Sequence, residues 1–294
     1  MTGQVLTLVG RSVADAVAAA TRGLDDAGCE AGDVDWLSDG LACDIAFEAR
    51  DPAAANEAVR ARLGSMSVDL AVQPSEGRRK RLLVADMEST IITRELLDEI
   101  GRRAGLAQQI STITERAMRG EIDFAAALRE RVALLKSAPV ALLDEAVGLI
   151  ELSPGARALV QTMRANGAYT VLLSGGFDRF SALVREACGF DADRANHLVV
   201  ADGIIAGTVA EPILDRDGKW AVLEALCRER GLATAAAAAV GDGANDIAMI
   251  AAAGLGVAYR GKPAVKAATR FHIDHTDLTT LLYFQGYRAA EFRD

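Results

Sequence analysis

The sequence predicts an α/β protein. A doubly wound, mainly parallel sheet carries a helical cap inserted after its first strand, and a smaller α+β unit precedes it. Three observations predict this. Short apolar runs at residues 82–85, 169–173 and 235–240 each end in polar or glycine-rich tips, as buried parallel strands do. Residues 91–150 are helical in character without a strand between the first two runs. Residues 3–73 read strand, helix, strand, strand, helix, strand, which is the ferredoxin-like split βαβ order.

Taken in order, residues 3–9 alternate like a half-buried strand, and 12–28 are alanine-rich and helical in period. Residues 32–38 and 41–49 form two strands around Ser38-Asp39-Gly40, a hairpin signal. Asp51-Pro52 opens a helix over 52–63, since proline suits a first turn, and 67–73 alternate again. Residues 74–80, Pro-Ser-Glu-Gly-Arg-Arg-Lys, have the composition of a solvated linker, so the domains are expected at 1–75 and 82–294, with the cap at about 93–150. Beyond the cap, Ser153-Pro154-Gly155 starts a helix to about Asn166, Tyr169–Leu173 is a strand, and 178–188 is a helix. A hairpin is expected around Ala201-Asp202-Gly203, a helix after Lys219, strands at 235–240 and, as the last one, at Leu255–Ala258, then a short helix after Lys262-Pro263. The repeated β–α order implies right-handed crossovers and a Rossmann-like sheet.

At 294 residues, with about half of them apolar and a quarter charged, the chain has the balance of a globular protein with a full core. A net charge of −9 and the absence of a long basic run argue against nucleic acid or an anionic membrane as partner. A phosphate site on such a chain must be made positive locally. Cys29, Cys43, Cys188 and Cys227 are scattered, without a CxxC or a histidine pairing, and read as reduced thiols. The first residues lack a basic segment followed by an apolar core, and no apolar run has the length of a membrane span, so a cytoplasmic location is expected.

Three strand tips carry the chemistry: Asp86-Met87-Glu88-Ser89-Thr90, Ser174-Gly175-Gly176, and Gly241-Asp242-Gly243-Ala244-Asn245-Asp246, with Lys219 between the last two. In an open α/β sheet the carboxyl ends of the strands are where ligands bind. Each motif has a plain structural reading: a helix-capping aspartate, an ordinary turn, a surface lysine. Four of them in this order on one sheet edge point instead to a nucleophilic aspartate, Asp86, with an acid/base carboxylate, Glu88, beside it.

These motifs resemble those of the haloacid dehalogenase-like superfamily, and the cap resembles that of its phosphoserine phosphatases. The resemblance covers 82 to about 270 and rests on Asp86/Glu88, Ser174, Lys219 and Asp242/Asn245/Asp246, together with Glu95, Met118–Phe124 and Leu128–Lys136. It implies hydrolysis of O-phospho-L-serine through an aspartyl phosphate on Asp86. Mg²⁺ is implied on Asp86, Asp242 and the backbone carbonyl of Glu88, with Asp246 supporting. Ser174, Gly175, Lys219 and Asn245 would hold the phosphate, Arg131 the substrate carboxylate and Glu95 its ammonium, while Met118 and Phe124 would line the lid. Residues 1–75 are similar to ACT-type modules, which bind amino acids or dimerise, so a homodimer is a further expectation. Glu88 departs from the family, where aspartate is more usual; the extra methylene moves the carboxyl by about 1.5 Å. The alternatives are a phosphatase or phosphotransferase for another small ester, and a non-catalytic serine-binding protein. His272 and His275, spaced by three, have no companion ligands in the sequence and read as structural.

Overall fold

The computed structural model of the protein describes residues 2–294. The chain opens with β1 (Thr2–Gly10), α1 (Ala14–Asp26), β2 (Ala31–Ser38), β3 (Ala42–Ala49), α2 (Pro52–Leu63) and β4 (Val68–Pro74). Its antiparallel sheet has the order β2-β3-β1-β4, that of a ferredoxin-like fold. The carboxylate of Asp51 caps α2, accepting the N–H groups of Ala53 and Ala54 at 3.0 and 3.1 Å ahead of Pro52. Alternation along β1 sends Leu6 and Leu8 to the two helices, while Val9 faces the rest of the molecule with Ala42 and Ala71. Both faces of this sheet are therefore covered.

The second sheet has six parallel strands: β5 (Leu82–Asp86), β6 (Tyr169–Phe177), β7 (Ala192–Asn196), β10 (Ala237–Gly241), β11 (Leu255–Tyr259) and β12 (Phe271–Ile273). Their order is β12-β11-β10-β5-β6-β7. The chain starts in the middle at β5, moves outward to β7, then returns to β10 and moves outward the other way. The reversal between β5 and β10 opens a crevice at their carboxyl ends. Between β5 and β6 lie the cap helices α3 (Leu96–Arg103), α4 (Ala107–Met118), α5 (Phe124–Leu134) and α6 (Ala141–Val147), followed by α7 (Ala156–Ala165). Helix α8 (Asp178–Cys188) precedes β7. The hairpin β8 (Leu198–Ala201) and β9 (Ile204–Val209) follows, turning at Asp202-Gly203. It binds the cap: Ser137 and Val140 donate to the carbonyls of Ile205 and Gly203, and Ile205 to that of Ala138, each at 2.9 Å. Helices α9 (Arg216–Glu229), α10 (Ile247–Ala252), α11 (Pro263–Ala268) and α12 (Thr280–Phe284) complete the layers.

Three expectations change. Leu255–Ala258 is not the last strand; β12 lies outside it and β7 forms the other edge. Both are short edge strands with partly polar sequences, so they lack the apolar run of an inner strand. Second, β6 does not end at Leu173 but runs through Ser174-Gly175-Gly176 to Phe177, with a register shift against β7. Third, residues 74–80 are not a loose solvated linker. Arg78 is tucked between the first sheet and α12, paired with Asp44 at 2.6 Å and donating to Thr7 Oγ1 and to the carbonyls of Tyr283 and Phe284. Arg79 lies 4.0 Å over the ring of Tyr287 and pairs with Glu291, and Lys80 Nζ donates to the carbonyls of Gly77 and Ala235. Close by, the buried carboxylate of Asp69 on β4 accepts the N–H groups of Asp274, His275 and Thr276 and the Thr276 hydroxyl.

All four cysteines are buried and free. His272 Nε2 sits against the carbonyls of Lys266 and Thr269, a structural setting, and His275 stands at the surface. No helix among the described residues is long and apolar enough to cross a membrane.

Candidate active site

Asp86 ends β5 and is almost fully buried, because β6 and β10 flank its strand. Lys219 enters from the first turn of α9, where the carboxylate of Asp215 caps the helix through Gly218 N–H at 2.9 Å. Its side chain is fully enclosed. The ammonium donates to Asp86 Oδ1 and, at 2.7 Å, to Asp246 Oδ1. Lys219 thus bridges two buried carboxylates, one at the end of β5 and one in the loop after β10, and among the described residues Asp86 Oδ2 has no donor. Burial works against the lysine's charge, but Asp246 and Asp86 outweigh it and raise its pKa above the ordinary lysine value. For Asp86, burial and the neighbouring Asp246 push the pKa well up against the pull of Lys219.

The loop after β10 supplies Asp242, Asn245 and Asp246. Gly243 N–H donates to Asp246 Oδ2 at 3.0 Å, and a side chain at Gly241 would collide with the same carboxylate. One oxygen from each of Asp86, Asp242 and Asp246 lies within 4.8 Å of the others, an all-oxygen cluster able to hold a metal ion. Hard cations such as Mg²⁺ and Ca²⁺ take that donor set, and softer metals prefer nitrogen or sulfur. The residues present therefore fit a hard divalent ion. Burial raises the pKa of Asp242, partly offset by Lys262, whose ammonium lies 3.1 Å from Asp242 Oδ2.

Across the crevice, Ser174 is fully buried at the tip region of β6. Its Oγ accepts Gly176 N–H at 2.9 Å, which frees its own proton to donate into the crevice. A Cβ at Gly176 would fall 2.6 Å from Glu88 Oε2, and one at Gly175 2.7 Å from Phe124 Cζ and 3.6 Å from Asn245 Nδ2. The two glycines are needed for that close approach. Glu88 Oε1 accepts Leu96 N–H at 2.7 Å, so the carboxyl is wedged between the start of α3 and Gly176. Burial first, then the charge of Glu95, raise its pKa to about 8, against the opposing effects of Leu96 N–H, Arg131 and Lys219. A carboxyl of that kind is an acid at neutral pH and a base once its proton is spent.

The structure brings together Asp86, Glu88, Ser174, Gly175, Lys219, Asp242, Asn245 and Asp246, with Phe124 from the cap resting on Gly175. Glu95 is exposed at the rim, where Ser89, in a left-handed conformation at φ 58°, donates to it at 2.8 Å. Arg131 is partly buried, with Nε donating to Ala127 O at 3.3 Å and its charge felt by Glu88. Arg129 turns away and pairs with Glu211 at 2.7 Å. Met118 is not brought in: at the end of α4 it stands 72% exposed. Two residues went unread in the sequence. Lys262 follows β11, and the rule that strand tips carry chemistry points to it. Asn196 ends β7, a strand not anticipated; it donates to Gly175 O at 2.9 Å and accepts Leu214 N–H at 2.6 Å, fixing the Gly175 peptide.

The chain that carries these carboxylates, the lysine and the serine is similar to known proteins. A family model for haloacid dehalogenase-like hydrolases matches residues 83–251. The protein is a haloacid dehalogenase-like hydrolase. Within that family it is 43% identical over 205 residues to a phosphoserine phosphatase of Lactococcus lactis, covering 70% of this chain and 95% of the relative. It is 40% identical over 226 residues to the phosphoserine phosphatase SerB2 of Mycobacterium tuberculosis, covering 76% of this chain but only 55% of that longer protein. A solved phospho-aspartyl intermediate analogue of a phosphoserine phosphatase superposes with a TM-score of 0.66 at 35% identity, covering 70% of this chain and 99% of that one. The matched residues 83–251 take in the cap and strands β5, β6, β7 and β10 of the parallel sheet.

Proposed function

We propose that the protein hydrolyses O-phospho-L-serine to L-serine and phosphate through an aspartyl phosphate on Asp86, with Mg²⁺ held by Asp86, Asp242 and the Glu88 backbone carbonyl and Asp246 in support. The observation that carries this reading is the buried Asp86, gripped through one oxygen by Lys219 and free at the other, facing a serine donor and a carboxyl of raised pKa. When bound, the cation would neutralise the anionic phosphate that otherwise repels a carboxylate nucleophile. Asp86 Oδ2 attacks phosphorus and the bond to the seryl oxygen breaks. Glu88 gives its proton to that oxygen, and L-serine leaves. Glu88, now a carboxylate, takes a proton from water as the water oxygen attacks the phosphorus of the aspartyl phosphate, releasing phosphate and restoring Asp86. Ser174 Oγ–H, Gly175 N–H and Lys219 hold the phosphoryl oxygens as charge spreads over them, with Asn245 beside them.

The cap supplies the selectivity in this reading. Arg131 offers a planar fork for the substrate carboxylate and Glu95 a carboxylate for its ammonium. Phe124 closes over Gly175, and Met118 would reach the site only through cap movement. Residues 1–75 are read as an ACT-like module that supports a homodimer, and 82–294 as the phosphatase domain with its cap at about 93–150. The test is phosphate release from L-phosphoserine with and without Mg²⁺, for wild type and Asp86→Asn. Mg²⁺-dependent release that falls by about a thousandfold or more in the variant is expected. Release from other esters but not phosphoserine would discard the roles of Arg131 and Glu95.

A further inference from the structure

Lys262 is outside the strand-tip motifs, yet its ammonium lies against one of the same carboxylates, Asp242. Its backbone is firmly placed. The Lys262 N–H donates to Asp242 O at 3.0 Å, its carbonyl accepts Val265 and Lys266 N–H at 3.0 and 3.1 Å, and Pro263 begins α11 directly after it. The preceding Arg260 sits in a left-handed conformation at φ 46° and donates its N–H to Ile273 O at 2.8 Å, turning the chain from the end of β11 toward the crevice. From that anchor the side chain reaches Asp242 Oδ2 at 3.1 Å. It is 53% exposed while the Asp242 side chain is only 10% exposed, so the lysine approaches a buried carboxylate from the mouth of the crevice. Its charge is also felt by Glu95 and Asp86.

The sign of the charge makes this position consequential. The three clustered carboxylates and the two lysines that pair with them, Lys219 and Lys262, leave the pocket one formal charge negative. Without Lys262 it would be two negative. A divalent cation would then make the pocket positive with Lys262 present and only neutral without it. An ammonium in contact with Asp242 thus opposes the binding of a cation there, and favours the binding of an oxyanion once the cation is in place. Lys219 contributes the same sign of charge from the far side, fully enclosed between Asp86 and Asp246, so Lys262 is the ammonium that acts from the mouth of the crevice.

We propose that Lys262 is a positioning residue that sets the charge balance of the site, weakening the hold of Asp242 on the divalent cation while strengthening the hold of the loaded site on phosphate. The proposal rests on the metal-dependent phosphatase reading above. It assigns Lys262 two effects of opposite sign, which a residue that merely braced the loop would not produce.

The test is calorimetric and needs no turnover. Mg²⁺ binding is measured first on wild type, Lys262→Met and Lys262→Arg, and inorganic phosphate binding then at saturating Mg²⁺. In Lys262→Met, the Mg²⁺ Kd falls by about threefold to fivefold and the phosphate Kd rises by a similar factor, the upper end of the scale of a partly exposed ion pair. Lys262→Arg, which keeps the charge, stays within about twofold of wild type on both, the tighter bound that a conserved charge sets. Circular dichroism and melting confirm the fold, and Lys262→Gln is measured beside Lys262→Met. Affinities that fall together, or that both stay within twofold, overturn the proposal, as does failure of both neutral variants to fold, since the role would then be structural. A wild type that binds no Mg²⁺ overturns the metal reading underneath, and is distinguished by appearing before any variant is compared.

Discussion

Replacing Gly175 by alanine tests whether the cap rests on the phosphate loop. The backbone of Gly175 is not left-handed, so alanine meets no conformational penalty there and the effect isolates one contact. Its Cβ would lie 2.7 Å from Phe124 Cζ and 3.3 Å from Cε2, where ordinary contact begins near 3.4 Å. The ring must therefore retreat by about 0.7 Å. Phe124 is the first residue of α5, the helix that also carries Arg131, so the retreat displaces the side of the cap proposed to face the substrate. Overpacking of this kind costs about 1–3 kcal/mol, and a displacement approaching 1 Å lowers rate by about ten- to a hundredfold. The assay is kcat/KM for L-phosphoserine in Gly175→Ala, Phe124→Ala and the double variant. With the ring gone, the added methyl has nothing to strike, and Gly175→Ala should cost less than about threefold on that background, the coupling expected of residues in contact. An unaffected single variant, or equal losses on both backgrounds, would refute the closed-cap contact.

The remaining predictions concern charge and the joint between the two sheets. Glu88 is protonated below about pH 8 and loses that proton as pH rises, so the step that expels serine should slow above that pH; in Glu88→Gln, pre-steady-state phosphorylation measured across pH 6–10 should lose this alkaline limb. Lys219→Met leaves Asp86 and Asp246 buried without their counter-charge, and thermal and urea unfolding in EDTA should show a loss of about 3–5 kcal/mol; a change below 1 kcal/mol would mean the pair is not enclosed as described. Asp69→Asn turns an amide toward donors now accepted by a carboxylate, and about 2–4 kcal/mol of stability should go with it, read as a lower urea midpoint and faster proteolysis between residues 74 and 80.

Much of the site was legible because strand tips are local in sequence. An apolar run long enough to be an inner strand identifies its own end, and Asp86, Ser174 and Asp242 each stand at or just past such an end. The ferredoxin-like order of residues 3–73 was legible for the same reason, from alternation and from signals such as Asp51-Pro52. Edge strands were not: β7 and β12 are short and partly polar, and the burial that would mark them comes from neighbours distant in sequence. Asn196 was missed along with β7. Arg78 shows the limit of composition, since a basic, glycine-containing stretch reads as solvated until Asp44, the Thr7 hydroxyl and the carbonyls of α12 are found around it.

By itself the sequence determined the periodicity of the two sheets, the insertion of a helical cap after β5, and most of the side chains that meet at the candidate site. Those properties follow from residue type and spacing along the chain, which is where hydrophobic alternation and motif order reside. Only the tertiary structure decided what each of those groups does to the others. Lys219 clamps Asp86 because α9 begins opposite the tip of β5, and the Glu88 carboxyl has a raised pKa because it is buried between Gly176 and the start of α3. Arg131 is partly buried with its charge felt at Glu88 while Arg129 pairs with Glu211 at the surface, and Lys262 joins the site from a loop with no motif of its own. Ion pairing and pKa depend on distances of a few ångströms and on the exclusion of water, and both arise only when segments far apart in the chain are packed together.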